Sequence, residues 1–132
     1  MSSQLEVVEK WLQVLAGGDL SAWSGLVADD VVIEFPFLHG AAKVLTGFEA
    51  ACATIGAFWQ TFEFFHWEDV VMNATDDPDL VLVTAKSQAR TVAGDHYANE
   101  YVILVRVRGG RIVRHTEYFD AVRAAALVQE TN

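Results

Sequence analysis

The strongest constraint on the fold of this chain is a change of hydrophobic period near Thr61. Before this point, apolar residues recur mainly at three- and four-residue spacing, which is typical of amphipathic helices. After it, β-branched and aromatic runs are separated by turn residues, which is typical of antiparallel strands. Helices followed by a strand meander predict an α+β fold. No linker or internal repeat interrupts the 132 residues, so we expect one domain over 1–132.

The N-terminal pattern predicts three helices. Leu5, Val8, Leu12 and Leu15 define the first, which Gly17-Gly18 ends because glycine accepts the left-handed conformation of a helix terminus. The second is a short helix over 20–27, capped by Asp19 and ended by Asp29-Asp30, and the third covers 47–59.

The strands are predicted from runs bounded by turn residues. They cover 31–37, 62–73, 80–91, 97–107 and 111–119, with a loop over 38–42 and a short helix over 121–127. Pro36 places the first of them at an edge or a strand end, because proline donates no ladder hydrogen bond. Thr75–Asp79 has the composition of a turn, and Gly109-Gly110 predicts a tight hairpin.

Net charge and composition limit the kinds of partner and the compartment that we expect for this protein. Nine basic against 18 acidic residues give a net charge of −9, so we expect no nucleic acid and no anionic membrane as partner. The single Cys52 cannot form an intrachain disulfide, and the acidic N-terminus is unlike a signal peptide, so we expect a cytoplasmic protein. Hydrophobic residues make up 52%, a surplus that a large core, an apolar cavity or a partner subunit would use.

Five motifs, in their order along the chain, carry a resemblance to a known family. They are Glu34-Phe35-Pro36-Phe37, Trp67-Glu68, Thr75-Asp76-Asp77-Pro78, Tyr97-x-Asn99-x-Tyr101 and Glu117-Tyr118-Phe119-Asp120. Together with Ala16–Leu20 between two helices, they make the chain resemble the SnoaL-like polyketide-cyclase branch of the nuclear transport factor 2-like superfamily. Within that branch it is most similar to the phenazine-biosynthesis A/B-like proteins.

The resemblance implies a cone-shaped, cystatin-like fold. About three N-terminal helices would pack on a curved, mixed, mostly antiparallel sheet, and two chains would pair as a homodimer through the sheet's outer face. A small hydrophobic molecule would bind in the cone. The implied chemistry is acid–base isomerisation, cyclisation or dehydration, with no cofactor and no metal.

Glu117 and His115 are the candidate catalytic residues. The resemblance places an acid/base at Glu117, and a carboxylate in an apolar cone becomes useful near neutral pH because desolvation raises its pKa. Strand periodicity puts Arg111, Val113, His115, Glu117 and Phe119 on one face, which leaves open whether that face is the pocket or the solvent. The remaining histidines, His39, His66 and His96, have no compact companion spacing, which argues against a metal.

The candidate substrate-binding residues come from several elements. On the fourth predicted strand, Tyr97, Asn99 and Tyr101 share a face with apolar Ile103, so they would face either the cone or a dimer partner. The others are His66, Phe35, Phe37 and Trp11. His66 could instead be a half-buried strand histidine without a role in binding, and the three aromatic residues could simply belong to the core or the cavity wall.

Three departures from related enzymes limit the activity. Phe35 stands where ketosteroid-isomerase-like proteins have an Asp, and Thr84–Ser87 lacks the Arg-x-Asp of limonene-epoxide-hydrolase-like proteins. Ala51–Ala57 lacks the histidine that partners the glutamate in phenazine A/B-like proteins. An acid–base enzyme, a non-catalytic binding module for an apolar metabolite and a dimerising interaction protein therefore remain open.

Overall fold

A computed structural model describes residues 3–38 and 41–130 of the chain. The helices are α1 (Ser3–Gly17), α2 (Phe48–Trp59) and α3 (Ala121–Glu130), with a 3-10 turn at Leu20–Trp23. The strands are β1 (Val27–Leu38), β2 (Ala41–Thr46), β3 (Phe62–Ala74), β4 (Leu80–Thr91), β5 (His96–Arg108) and β6 (Arg111–Phe119). The predicted α+β class is confirmed.

The six strands form one mixed sheet in the order β2-β1-β6-β5-β4-β3. Among the strands of the described residues, β1 and β6 form the one parallel pair, and the other neighbouring pairs are antiparallel. Gly109 and Gly110 join β5 to β6 with φ of 61° and 75°, which confirms the predicted hairpin and requires the positive φ that glycine accepts.

The helices cover one face of this sheet, which we call the inner face. Helix α1 contacts β3 to β6, α2 contacts β1 and β2, and α3 contacts β5 and β1. Every odd-numbered residue of β5 from Tyr97 to Val107 is buried, so this strand turns its odd positions inward. The predicted inward orientation of Tyr97, Asn99 and Tyr101 follows this alternation.

The N-terminal segment differs from the sequence prediction after α1. The second predicted helix is a 3-10 turn of four residues, with Asp19 at its N-cap accepting from the Ser21 N–H, and β1 already begins at Val27. Asp29 and Asp30 therefore lie inside a strand, exposed, where the β1–β6 register shifts between Val27 and Val32. A strand with one solvent-exposed face tolerates acidic residues at such an irregularity because their carboxylates stay hydrated.

Strand β2 was not predicted, because Ala41 and Ala42 were assigned to a loop. Val44 and Thr46 suit a strand, but the run is only six residues long and begins with two alanines, and its pairing with β1 fixes it as a strand. Pro36 lies beyond the last β1–β6 pair, Glu34 with Thr116, so it marks a strand end and not a sheet edge. The remainder of the predicted loop, at 39–40 and including His39, lies outside the described residues.

Strand β6 contains an irregularity that overturns part of the predicted face assignment. Val107 pairs with Ile112, but Arg106 pairs with Arg114, so Val113 is an extra residue in β6. Ile112 therefore points inward with His115, while Arg111 is exposed. The simple two-residue repeat fails at this bulge and holds again from His115 onward.

Among the described residues, no helix is long and apolar enough to cross a membrane.

Candidate functional site

A cavity of about 360 Å³ opens between the inner face of the sheet and the helices. Its walls are mostly aromatic and aliphatic, and they include side chains from α1, α2, α3 and five of the six strands. Aromatic rings form much of the wall, among them Trp11, Phe35, Phe65, Trp67 and Phe119. A cavity of this size and character is suited to a small apolar molecule with few polar groups.

Glu117 and His115 both line this cavity, from consecutive inward positions of β6. The His115 Nε2 and the Glu117 Oε1 are 2.9 Å apart. The His115 side chain is 3% exposed and that of Glu117 is 14% exposed, so the carboxylate is the more accessible of the two. Among the described residues that line the cavity, Glu117 is the only acid.

Trp11 determines which nitrogen of His115 carries the proton. Its indole Nε1 donates to His115 Nδ1 at 3.0 Å. An indole N–H can only donate, so Nδ1 must be the unprotonated nitrogen of the ring. The neutral ring then carries its proton on Nε2 and donates it to Glu117, which is the accepting carboxylate. The three groups form a chain with one direction, from Trp11 through His115 to Glu117.

Two tyrosines add neutral hydroxyls to the cavity wall. Tyr97 and Tyr101 line it from β5, and the Tyr101 hydroxyl lies 2.8 Å from Ser87 Oγ on β4. Burial raises the pKa of both phenols, and the nearby Glu117 carboxylate adds to the rise. Both hydroxyls therefore stay protonated over the physiological range and remain able to donate hydrogen bonds.

Asn99, which the sequence predicts as a substrate-binding residue, is not among the residues that line the cavity. Its Oδ1 accepts the backbone N–H of Glu100 and of Asp120, which leaves Nδ2 to donate to the Tyr97 hydroxyl at 2.6 Å and to the Asp120 carbonyl. Because Nδ2 can only donate, the Tyr97 oxygen accepts, and its own proton is left for another acceptor. Asn99 thus positions Tyr97 and ties β5 to the start of α3.

Two further predicted residues lie away from the cavity. His66 is exposed on β3, where its ring contacts Phe64, and the side chain faces outward between inward Phe65 and Trp67. Phe37 is 60% exposed and packs against Tyr118 on the outer face. Neither residue lines the cavity. Strand alternation turns His66 away, whereas Phe37 leaves the face of Phe35 because the β1–β2 register shifts between Phe35 and Leu38. Phe35 and Trp11 do line the cavity.

Sequence reasoning missed several lining residues. Lys43 on β2, Thr54 on α2 and Ala124 and Leu127 on α3 belong to the wall. Lys43 could not be found because β2 itself was unassigned. The residues on α3 could not be placed because their contact with the cavity depends on how that helix folds back over the sheet.

Within the described residues, no group of three or more His, Cys, Asp or Glu side chains has the arrangement of a metal site. His115 and Glu117 are the pair that sequence spacing singled out as potential ligands, and in the structure they bond to one another.

A family model and a related protein sequence both assign this chain to the same family. The model of the SnoaL-like domain matches residues 8–115, which ends just before Glu117. An uncharacterized PhzA/B-like protein of Pseudomonas aeruginosa is 30% identical over 122 residues, covering 89% of this chain and 84% of that protein.

Solved structures agree with this at the level of fold. A phenazine biosynthesis-related protein from Pseudomonas aeruginosa superimposes with a TM-score of 0.80 at 17% identity, covering 96% of this chain and 85% of that one. An NTF2-like protein from Burkholderia xenovorans gives 0.78 at 19% identity, covering 96% and 95%. The resemblance drawn from the sequence motifs is confirmed: the chain has the fold of NTF2-like proteins and belongs to the SnoaL-like family.

Proposed function

We propose that this protein is a small-molecule acid–base enzyme of the isomerase, cyclase or dehydratase type. Its substrate is a hydrophobic cyclic or carbonyl compound held in the aromatic cavity, and Glu117 is the base. The observation that carries the proposal is the one-directional chain in which Trp11 donates to His115 and His115 donates to Glu117. A carboxylate that accepts a hydrogen bond from a neutral imidazole is held in a fixed orientation and can act as a general base.

The proposed first step is proton transfer from carbon to Glu117. The carboxylate removes a proton from the carbon next to a carbonyl, and the C–H electron pair becomes the enolate π bond. The negative charge moves to the carbonyl oxygen, where a neutral tyrosine hydroxyl, foremost that of Tyr97, donates a hydrogen bond. Tyr97 suits this role because Asn99 already occupies its oxygen as an acceptor.

The second step returns the proton. In an isomerisation, the Glu117 carboxylic acid protonates a different carbon of the extended enolate. In a cyclisation, the enolate carbon attacks a second carbonyl carbon of the same molecule, and Glu117 protonates the resulting alkoxide. Either route regenerates the carboxylate and consumes no co-reactant. His115 keeps its hydrogen bond to the carboxyl group and orients it between the two steps.

The test uses proton exchange, which needs no knowledge of the final product. A panel of cyclic and aromatic ketones is incubated in D₂O, and loss of the α-proton signal is followed by NMR with wild type, E117Q and E100Q. Glu100 is the matched control, because it is an exposed glutamate on the neighbouring strand β5. We expect E117Q to slow exchange by about 10²–10⁴-fold and E100Q to leave it unchanged. Full exchange activity in folded E117Q would contradict the proposal.

A second candidate function is a binding module that holds an apolar metabolite without turnover. It is favoured by the absence of a second acid among the described residues that line the cavity. An unchanged molecule that copurifies with the protein, together with no exchange across the panel, would favour this alternative. Binding with α-proton exchange would favour the enzyme.

We also propose that two copies pair through the outer face of the sheet. Val71, Thr84, Val102 and Tyr118 lie side by side on four neighbouring strands, and Phe37 extends this row by its contact with Tyr118. Val71 and Val102 are 51% and 42% exposed, so the row leaves apolar area in water. Sedimentation should find a dimer that V102E converts to monomer, whereas V92E, at a 69% exposed turn valine, should not.

A further inference from the structure

Lys43 stands at the mouth of the cavity, on the sheet's edge strand. It pairs with Phe35 of β1, and residues directly opposite on antiparallel strands share a face, so both side chains are on the inner side. Lys43 lines the cavity and is exposed to solvent, which places its aliphatic stem along the wall and its ammonium group at the opening.

The ammonium group of Lys43 has no acidic partner among the side chains that the structure describes. Most of the basic residues do have one. The ion pairs are Lys86–Asp69, Arg90–Glu63, Arg106–Asp77, Arg108–Asp79, Arg114–Glu34 and Arg123–Asp120. In a chain with a net charge of −9, an unpaired cation at a cavity mouth is a local reversal of the prevailing charge.

The sheet sets the distance between this cation and the candidate base. Phe35 lies between them, since it pairs with Lys43 on one side and follows Glu34, which pairs with Thr116, on the other. The backbones of Lys43 and Glu117 are therefore about two strand spacings apart, roughly 10 Å. The Lys43 ammonium and the Glu117 carboxylate are therefore separated by a short apolar surface that includes the ring of Phe35.

We propose that the cavity takes an aromatic or cyclic compound that carries an anionic group, such as a carboxylate, and that Lys43 binds that group. The apolar ring system would pack against Phe35 and the other aromatic walls, with its reactive carbon toward Glu117. Repulsion from the Glu117 carboxylate disfavours the reversed orientation. Lys43 therefore sets both the substrate class and the direction in which the substrate enters. This assignment of substrate class rests on the proposed function of the cavity as the reaction site.

The test uses two fluorescent probes that differ by one charge. The first probe, 8-anilinonaphthalene-1-sulfonate, has the ring system of the second, N-phenyl-1-naphthylamine, with an added sulfonate. Each is titrated into wild type, K43M and K86M. K86M is the matched control, since Lys86 is an exposed lysine on the outer face of β4. Methionine keeps the length and the apolar stem of lysine and removes the charge.

We expect K43M to weaken binding of the sulfonate probe by about 3–10-fold and to leave the neutral probe unchanged. The preference for the sulfonate probe that Lys43 provides should shrink in high salt for wild type, and this salt-dependent loss should be absent in K43M. K86M should behave as wild type. An unchanged ratio of the two affinities in K43M, or an equal change in K86M, would overturn the proposal.

A cavity-filling variant locates the probe. Ala124 lines the cavity from α3, so A124W should reduce binding of both probes. Sulfonate binding that survives both K43M and A124W would lie elsewhere on the protein and would also overturn the proposal. These outcomes are independent of catalysis. If E117Q abolishes proton exchange but K43M leaves probe selectivity unchanged, the proposed role of Glu117 stands and only the proposed role of Lys43 is refuted.

Discussion

The indole Nε1 of Trp11 donates to His115 Nδ1 across 104 positions of sequence, at 3.0 Å. Both side chains are buried, and their rings meet edge-on with centroids 5.8 Å apart. This contact links the first helix to the last strand and sets the tautomer of the histidine beside the candidate base. The orientation of the carboxylate at Glu117 therefore depends on a residue from the other end of the chain.

Removal of the Trp11 donor should change the His115 tautomer. In W11F, Nδ1 loses its partner, and we expect the population with the proton on Nε2 to fall from nearly complete to a mixture. Side-chain nitrogen NMR of labelled histidine reports this directly. The lost hydrogen bond and the smaller ring should cost about 1–3 kcal/mol of unfolding free energy. W67F serves as the control, since Trp67 donates to the Leu12 carbonyl instead. A wild-type tautomer in W11F would show that Trp11 does not control it.

Asn99 should be a large contributor to stability. It is 1% exposed, and its amide satisfies both backbone groups of Asp120 as well as the Glu100 N–H and the Tyr97 hydroxyl. N99A leaves these groups without their partner, so we expect a loss of about 2–4 kcal/mol in urea unfolding. N73A, at an exposed asparagine on β3, should change the value by less than about 0.5 kcal/mol. Equal effects of the two substitutions would contradict this account of Asn99.

The two cavity tyrosines predict a loss of stability at alkaline pH. Burial raises the pKa of Tyr97 and of Tyr101 in the folded protein, whereas in the unfolded chain they ionise near the ordinary value of about 10. The folded state then holds more protons, so the contribution of these two phenols to the free energy of unfolding is constant below about pH 10 and falls above it. Y101F should make this decline shallower. The phenolate absorbance is measured in Y118F, so that the tyrosine on the outer face does not contribute. A rise well before circular dichroism reports unfolding would argue against protected phenols.

Two tryptophans of the cavity wall should respond differently to removal of their N–H groups. Trp67 Nε1 donates to the Leu12 carbonyl at 2.8 Å and so ties β3 to α1. Trp59 Nε1 is buried and has no hydrogen-bond partner among the described residues. W67F should therefore cost about 1 kcal/mol more than W59F in chemical unfolding, since only the former loses a bond. A larger loss in W59F would indicate a partner for its N–H.

Much of the site could be predicted from local pattern. The alternation of β5 puts Tyr97 and Tyr101 inward, and the same rule joins His115 with Glu117 on one face. Periodicity succeeds on these stretches because strand side chains alternate wherever the ladder is regular. It fails at Val113, where one extra residue in β6 reverses the face of everything before it. Such a bulge has no reliable local signature.

The sequence by itself determined the order of the three helices and of every strand except β2, the hairpin at Gly109-Gly110, the net negative charge and the family. These depend on residues close together in the chain or on composition. Only the tertiary structure decided that Trp11 reaches His115, that Asn99 stands behind Tyr97, and that Lys43 lies at the cavity mouth. Each of these depends on which elements pack together. A hydrogen bond forms only when folding brings donor and acceptor within about 3 Å of one another, and a cavity forms only where several elements enclose the same volume.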